Sequence, residues 1–278
     1  MRLSSPIEDL KPHYTVVVIG SGYGGGIAAS RLARAGQQVA VLERGKEFLP
    51  GEYPDTELEG LPEVQVRLPD QVIGPRTGLY DIRMNDDMSV LVGCGLGGTS
   101  LINANVASRP ERRVFDDPIW PQAFRSDVDT VLAECFDRAE EMLGSNPYPA
   151  DIPATSKMLA HEKSNSALNG KFYRLPINVT FKDGVNKAGV QQQACKLCGD
   201  CMSGCNHGAK NTVIMNYLPD AKGHGAEIFT LVEVRHLERQ GSRWLVHYQH
   251  LETGQAVRAR RERTARVWPL RGCRGFPG

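Results

Sequence analysis

Four apolar residues in a row, Val16–Ile19, run into a cluster of glycines, and behind them Ile27, Leu32 and Ala35 recur at helical spacing as far as Gly36. The change from a continuous run to a stripe predicts strand, tight turn and helix in that order. Gln38–Leu42 is a second apolar run and predicts the strand that completes the unit. From Pro50 to Pro75 the period is lost while prolines and glycines accumulate, which predicts a long excursion over the surface of the lid or binding-loop kind. Short strand-like runs follow at Tyr80–Arg83 and Ser89–Val92.

Ser126–Leu143 reads as one helix. Ser126 and Asp129 make a capping box, Val128, Val131, Leu132, Cys135, Phe136 and Leu143 share a face, and Gly144 ends it. Cys135 is expected there as a small buried hydrophobe. A proline-rich turn, Asn146–Pro153, leads to a weaker helix over Thr155–Leu168 and a strand-like Lys171–Phe181. Alternation over Ala226–Val234 and Arg243–Tyr248, with Gly241 between them, predicts an antiparallel ribbon. His207, His236, His247 and His250 fall near these elements and are expected as surface or satisfied core residues.

Composition places the chain among globular proteins: 278 residues, 41% hydrophobic and 23% charged, enough for one large or two intertwined domains. No stretch approaches the ~20 apolar residues of a membrane span, and the first fourteen residues lack the apolar core of a signal peptide, so the expected location is the cytoplasm. The net charge of +1 conceals seven arginines against one acidic residue in Ala256–Gly278. Outside that stretch the charge gives no sign of a nucleic-acid partner. The stretch itself has arginine without lysine, plus Gly, Pro and Cys, and is expected to be the aberrant end of a truncated or frameshifted product in place of the next buried strand.

Candidate chemistry begins at the first glycine cluster, where Gly20, Gly22 and Gly25 fall on G-x-G-x-x-G. Gly20 suits the tight turn, Gly22 lets backbone touch a pyrophosphate, and Gly25 allows close helix packing. The helix that follows offers free N–H groups and a positive dipole end to phosphate. Glu43 lies about 20 residues further on, within reach of a ribose diol. A second cluster, Gly93, Gly95, Gly97 and Gly98, again lets backbone approach a ligand, and Thr99, Ser100, Asn103 and Asn105 add donors and acceptors. Both clusters are expected to face one extended ligand. Cys195, Cys198, Cys201 and Cys205 are spaced as CxxCxxCxxxC, which suits an iron–sulfur cluster, with tetrahedral zinc and no metal at all as the rival readings.

The stretches GSGYGGGIAASRLA, VLERG, and GGTSLINANVASRP running into DDPIWP resemble the glucose-methanol-choline (GMC) flavoprotein oxidoreductases, cholesterol oxidase-like branch, over Tyr14 to about Gln249. The resemblance implies an α/β fold: a Rossmann-type FAD/NAD(P)-binding domain with an inserted α+β substrate region and the family's C-terminal half missing. It implies an FAD-dependent oxidoreductase of CH–OH groups, with an alcohol or sterol as substrate, hydride transfer to flavin N5, and oxygen or an electron acceptor as oxidant. By position Gly20, Gly22, Tyr23, Gly24, Gly25 and Glu43 would hold the ADP half. Thr99, Asn103 and Val106, with Gly93, Gly97 and Gly98, would lie beside the flavin, and Val234, after Thr230, would touch adenine. Ala104-Asn105 stands where cholesterol oxidases have two glycines.

Some multi-subunit members carry an iron–sulfur cluster near the cysteine region, and others keep the cysteines without an assigned metal. The family's catalytic histidine belongs to its C-terminal half, so no residue here is given that role and the chain is expected to be inactive alone. The other readings are an acceptor-coupled flavin/iron–sulfur dehydrogenase subunit and a non-catalytic nucleotide-binding remnant. The expected organisation is 13–115 for the FAD-binding unit and second glycine segment, 116–190 for the inserted substrate side, 191–255 for the four-cysteine segment and ribbon, and 256–278 for the tail.

Overall fold

The computed structural model describes residues 2–251 and the backbone of Arg263–Val267. Strand β1 (Val16–Ile19), helix α1 (Tyr23–Arg34) and strand β2 (Val39–Leu42) form as the apolar pattern predicts. β1 and β2 are parallel, with Val16 opposite Val39 and Ile19 opposite Leu42. Gly25 must be a glycine, because a Cβ there would overlap the carbonyl of Gly20 and push the helix off the strand it follows.

The excursion after β2 is more ordered than its composition suggests. It holds a helical turn, Glu57–Gly60, capped by the Thr56 side chain, and a strand, β3 (Val64–Arg67). β3 runs parallel to β4 (Tyr80–Arg83), which pairs antiparallel with β5 (Val90–Gly93), and Val72–Ile73 completes the outer edge. The expectation of a loop over β3 is corrected here for a physical reason: its central residue, Gln65, and the Asp81 it pairs with on the expected strand β4 are buried and polar. Apolar periodicity therefore says nothing about them. Their burial is made tolerable by hydrogen bonds, among them Gln65 Nε2 to the Gly78 carbonyl at 2.6 Å.

The single helix expected over Ser126–Leu143 is two, α2 (Gln122–Asp127) and α3 (Val131–Leu143). Ser126 lies inside α2, so the capping box does not form, and α3 starts after Thr130 without a side-chain cap. No residue of α3 is buried, and Cys135 is exposed rather than packed. Helix α4 (Ser156–Ala167) is capped by Thr155, whose hydroxyl accepts from the Met158 N–H. The strand expected over Lys171–Phe181 contracts to Pro176–Ile177, supplemented by isolated bridges of Ile177 with Val106 and of Val179 with Lys210.

Helix α5 (Tyr217–Gly223) leads into β6 (Glu227–Phe229), β7 (Val232–Gln240), β8 (Arg243–His250) and β9 (Arg263–Val267). One strand was expected over Ala226–Val234, but the chain turns at Leu231, which has a φ of 60°. β6 joins the parallel sheet beside β2, giving the order β6-β2-β1, whereas β7 enters the ribbon with β8. β9 pairs with β8 and with the short strand His13–Tyr14. A strand therefore does follow the ribbon, against expectation, and the rest of 256–278 lies outside the described residues.

β2 is buried throughout and separates two cores. Val39 and Val41 face α1 and α5 with Ala29, Leu218 and Ile228. Ala40 and Leu42 face Phe229, Val232 and Val246 from the ribbon side. A central parallel strand covered on both faces is apolar at every position, which is why VAVL shows no alternation. Among the described residues no helix is long and apolar enough to cross a membrane.

Candidate functional site

The two glycine segments touch. A Cβ on Gly98 would stand 2.8 Å from the Gly22 Cα, and Gly98 has a φ of +59°, so both space and conformation demand glycine there. Between the segments lies Ser21, fully buried. Its hydroxyl donates to Glu43 Oε2 at 2.6 Å and accepts from the Gly97 N–H at 2.9 Å, while its own N–H reaches the same carboxylate oxygen at 2.9 Å. Glu43 Oε1 takes the Gly45 N–H at 2.8 Å. The turn after β1, the acid at the end of β2 and the second glycine segment are thus one hydrogen-bonded unit.

Around that unit the other residues singled out from the sequence fall as follows. Gly26 is the first residue of α1 whose N–H bonds back into the helix, to the Gly22 carbonyl, which leaves the earlier N–H groups free to face a ligand. A Cβ on Gly24 would meet nothing within 4 Å, so the helix start is open. Tyr23 hydroxyl accepts from Asn103 Nδ2 at 2.8 Å, which joins the helix start to the second segment, and burial raises the phenol's pKa. Thr99 holds the turn by accepting from the Gly93 N–H. Val106 is half exposed, and Val234 packs against the ribbon-side core rather than standing free.

Asn105 has a φ of 66°, the left-handed conformation that glycine adopts freely and asparagine best tolerates among other residues. That accounts for asparagine in a place where a glycine is the ordinary solution. Its side chain is buried, and Oδ1 has no hydrogen-bond partner among the described residues. An orphaned acceptor at this depth points to a missing donor.

Lys210 is the residue that sequence reading missed altogether. It is 2% exposed, and its ammonium donates to the carbonyls of Leu101, Asn103 and Cys201 at 2.9, 2.7 and 2.7 Å. It ties the second glycine segment to the cysteine loop. Burial pushes its pKa down to about 8. A lone lysine gives no periodic signal, whereas Ser21, inside GSG, could have been suspected.

The four cysteines are free thiols around a cavity of about 20 Å³, lined also by Asp200, His207 and Lys210. No group of three His, Cys, Asp or Glu residues among the described residues is arranged to hold a metal ion. The geometry therefore gives no support to iron–sulfur or zinc ligation. Protein groups anchor the loop: Asn206 accepts from the Gly51 and Tyr53 N–H groups, and the Tyr80 hydroxyl donates to the Ser203 carbonyl. Burial pushes the Cys195 thiol pKa up.

A parallel sheet whose first turn is glycine-lined, with an acid at the end of the second strand and a helix start left open, defines a dinucleotide-binding type of α/β protein. The GMC oxidoreductase family model matches residues 23–267, and the chain belongs to that family. It is similar to the cholesterol oxidase of Mycobacterium tuberculosis, at 33% identity over 267 residues, a match that takes in 90% of this chain and 44% of that protein. It is 27% identical to the cholesterol oxidase of Acinetobacter baumannii, over 80% of this chain and 40% of that one. A long-chain-alcohol oxidase of Arabidopsis thaliana is 30% identical, over 82% of this chain and 27% of the relative. The chain spans less than half the length of these relatives.

Proposed function

We propose that the chain is the FAD-binding portion of an oxidoreductase that acts on the CH–OH group of an alcohol or sterol. The observation that carries this reading is the Ser21 bridge, which places the Gly22 turn, Glu43 and Gly97 around one cradle. The residues present fit the group. The N–H groups ahead of Gly26 and the open space at Gly24 suit a pyrophosphate, Glu43 keeps acceptor capacity for a ribose hydroxyl, and Asn105 Oδ1 awaits a donor. FAD, when bound, supplies the two-electron acceptor for alcohol oxidation.

In this reading the chain's own residues bind and orient. Gly22 and Gly98 keep side chains out of the cradle, Tyr23 and Asn103 lock the second segment against the helix start, and Lys210 fixes the backbone of that segment from behind. The names of the relatives support an alcohol or sterol as the substrate class, with oxygen as the acceptor.

Titration of the chain with FAD, followed by flavin fluorescence, tests the reading. Saturable binding that is abolished in Gly22→Val with unchanged circular dichroism is the expected result. Unchanged binding in that variant refutes it.

A further inference from the structure

Strands β3 and β4 carry a charge arrangement that nothing in the cradle uses. Gln65 pairs in register with Asp81, and Arg67 with Arg83, so all four project from one face of the sheet. Arg44 reaches the same place from the turn after β2. Its Nη2 donates to Asp81 Oδ2 at 2.6 Å and its Nη1 to Gln65 Oε1 at 2.9 Å. Arg67 Nε lies 3.0 and 3.2 Å from the two Asp81 oxygens, and Arg83 Nη2 lies 3.2 Å from Oδ2. Three guanidinium groups thus share one carboxylate that is wholly buried.

One aspartate cannot neutralise three arginines. Two like charges on neighbouring strands, about 5 Å apart, repel each other, and a fold that needed only to satisfy Asp81 would do so with one fork. Two other carboxylates are engaged elsewhere, Glu233 with Arg76 and Arg235 and Glu43 with Ser21 and Gly45, and Asp70, Asp86 and Asp87 on the adjoining turns form no ion pair with the cluster among the described residues. Arg67 Nη1 and both Nε and Nη1 of Arg83 have no partner among the described residues. Burial and the neighbouring guanidiniums lower the pKa of Arg67, as expected for a cation short of anions. Arg83 is half exposed, so the cluster opens to solvent on that side. Val72 and Val90, in register with Arg67 and Arg83, flank it and are partly exposed.

We propose that Arg67 and Arg83, with the Arg44 charge behind them, form a binding site for a phosphoryl group, separate from the dinucleotide cradle. The choice of phosphate over carboxylate follows from charge and shape. The cluster has two more cations than carboxylates, and a phosphate monoester carries −1.5 to −2 near neutral pH. Two side-by-side guanidinium forks present more donors than a single carboxylate can accept, and a tetrahedral phosphate offers three oxygens.

Isothermal titration of the full chain with inorganic phosphate, FAD present throughout and chloride at equal ionic strength as the control, tests this. The expected result is saturable binding beyond the chloride control, weakened about tenfold by Arg83→Gln. Arg83→Lys keeps the charge but loses the fork, and is expected to fall between the two. Gly22→Val is expected to leave phosphate binding intact. Co-sedimentation with phosphatidylcholine vesicles containing phosphatidate separates a lipid headgroup from a soluble phosphate, and sensitivity to Arg83→Gln in either arm supports the site. No binding beyond the control in both arms, or binding indifferent to Arg83→Gln, overturns the proposal. Loss of binding in Gly22→Val together with indifference to Arg83→Gln assigns the phosphate to the glycine turn, and so overturns this site while leaving the cradle standing.

Discussion

The hydroxyl of Ser21 donates to the carboxylate of Glu43 at 2.6 Å with both residues buried, and the same oxygen of Ser21 receives the Gly97 N–H. Ser21→Ala is therefore expected to strand a buried N–H at Gly97, at a cost of about 1–3 kcal/mol. It should also weaken FAD binding, by loosening the second segment. Chemical denaturation and FAD titration of the same variant measure the two effects. A fall in stability with unchanged FAD affinity would separate the bridge from the cradle.

Glu43→Gln is expected to lower FAD affinity more than Ser21→Ala does. The carboxylate accepts three hydrogen bonds from the Ser21 and Gly45 region, and an amide group would turn one acceptor into a donor facing donors. Equilibrium titration checks this, and an affinity equal to that of the parent would remove Glu43 from the site.

Gly98→Ala should displace the second glycine segment from α1, because the added Cβ falls 2.8 Å from the Gly22 Cα at a φ of +59°. The strain at such a φ is about 1–2 kcal/mol, to which the overlap adds. The far-ultraviolet dichroism is expected to stay close to that of the parent while the flavin is lost. Retention of flavin in Gly98→Ala would show that the two segments can separate without harm.

Asp220 joins α5 to α1, accepting from Ser30 Oγ at 2.5 Å and from Arg34 Nε and Nη2 at 2.9 and 2.6 Å. Burial pulls its pKa up, and the hydrogen bonds from Arg34 and Ser30 with the Arg34 charge more than offset that, leaving it below its ordinary value of 3.8. A carboxylate depressed in the folded state binds its proton first in the unfolded chain. Its stabilisation is therefore full above pH 3.8 and is lost as pH falls through the folded value. Asp220→Asn should be less stable at neutral pH and should lose that part of the acid slope. Urea midpoints of both proteins across the acid range check it; parallel curves would refute it.

Thiol reactivity should rank by exposure. With Cys273 replaced by Ser, an aromatic disulfide reagent is expected to modify Cys135 and Cys198 first, since both are exposed. Cys94, 3% exposed and with its pKa pushed up to about 12 by burial, should react only on unfolding. Mass mapping of the labelled sites decides the order.

The strand, turn and helix at Val16–Arg34, the strand at Val39–Leu42 and the ribbon about Gly241 were legible from the residues alone, because each is a local pattern. Period, a turn glycine and a short range of contacts fix them. The same holds for the need for glycine in the two segments, since only glycine permits the φ or the contact found at Gly98. What the sequence could not decide depended on partners far along the chain. β3 is a strand with a buried polar centre, so its Gln65 looks like a loop residue until Arg44 arrives from another turn.

Cys135 follows an apolar stripe, yet it stays exposed while Leu143 at the end of that stripe packs against the core. Leu231 breaks one predicted strand into two because its halves belong to different sheets. The cysteine spacing permits a metal, but where Sγ atoms point is set by the loop's anchors at Asn206, Tyr80 and Lys210, none of which the spacing encodes. Local pattern determines which backbone forms. Which side chains meet is decided by the packing of distant elements, and there a buried polar group is chosen by its partner rather than by its neighbours in sequence.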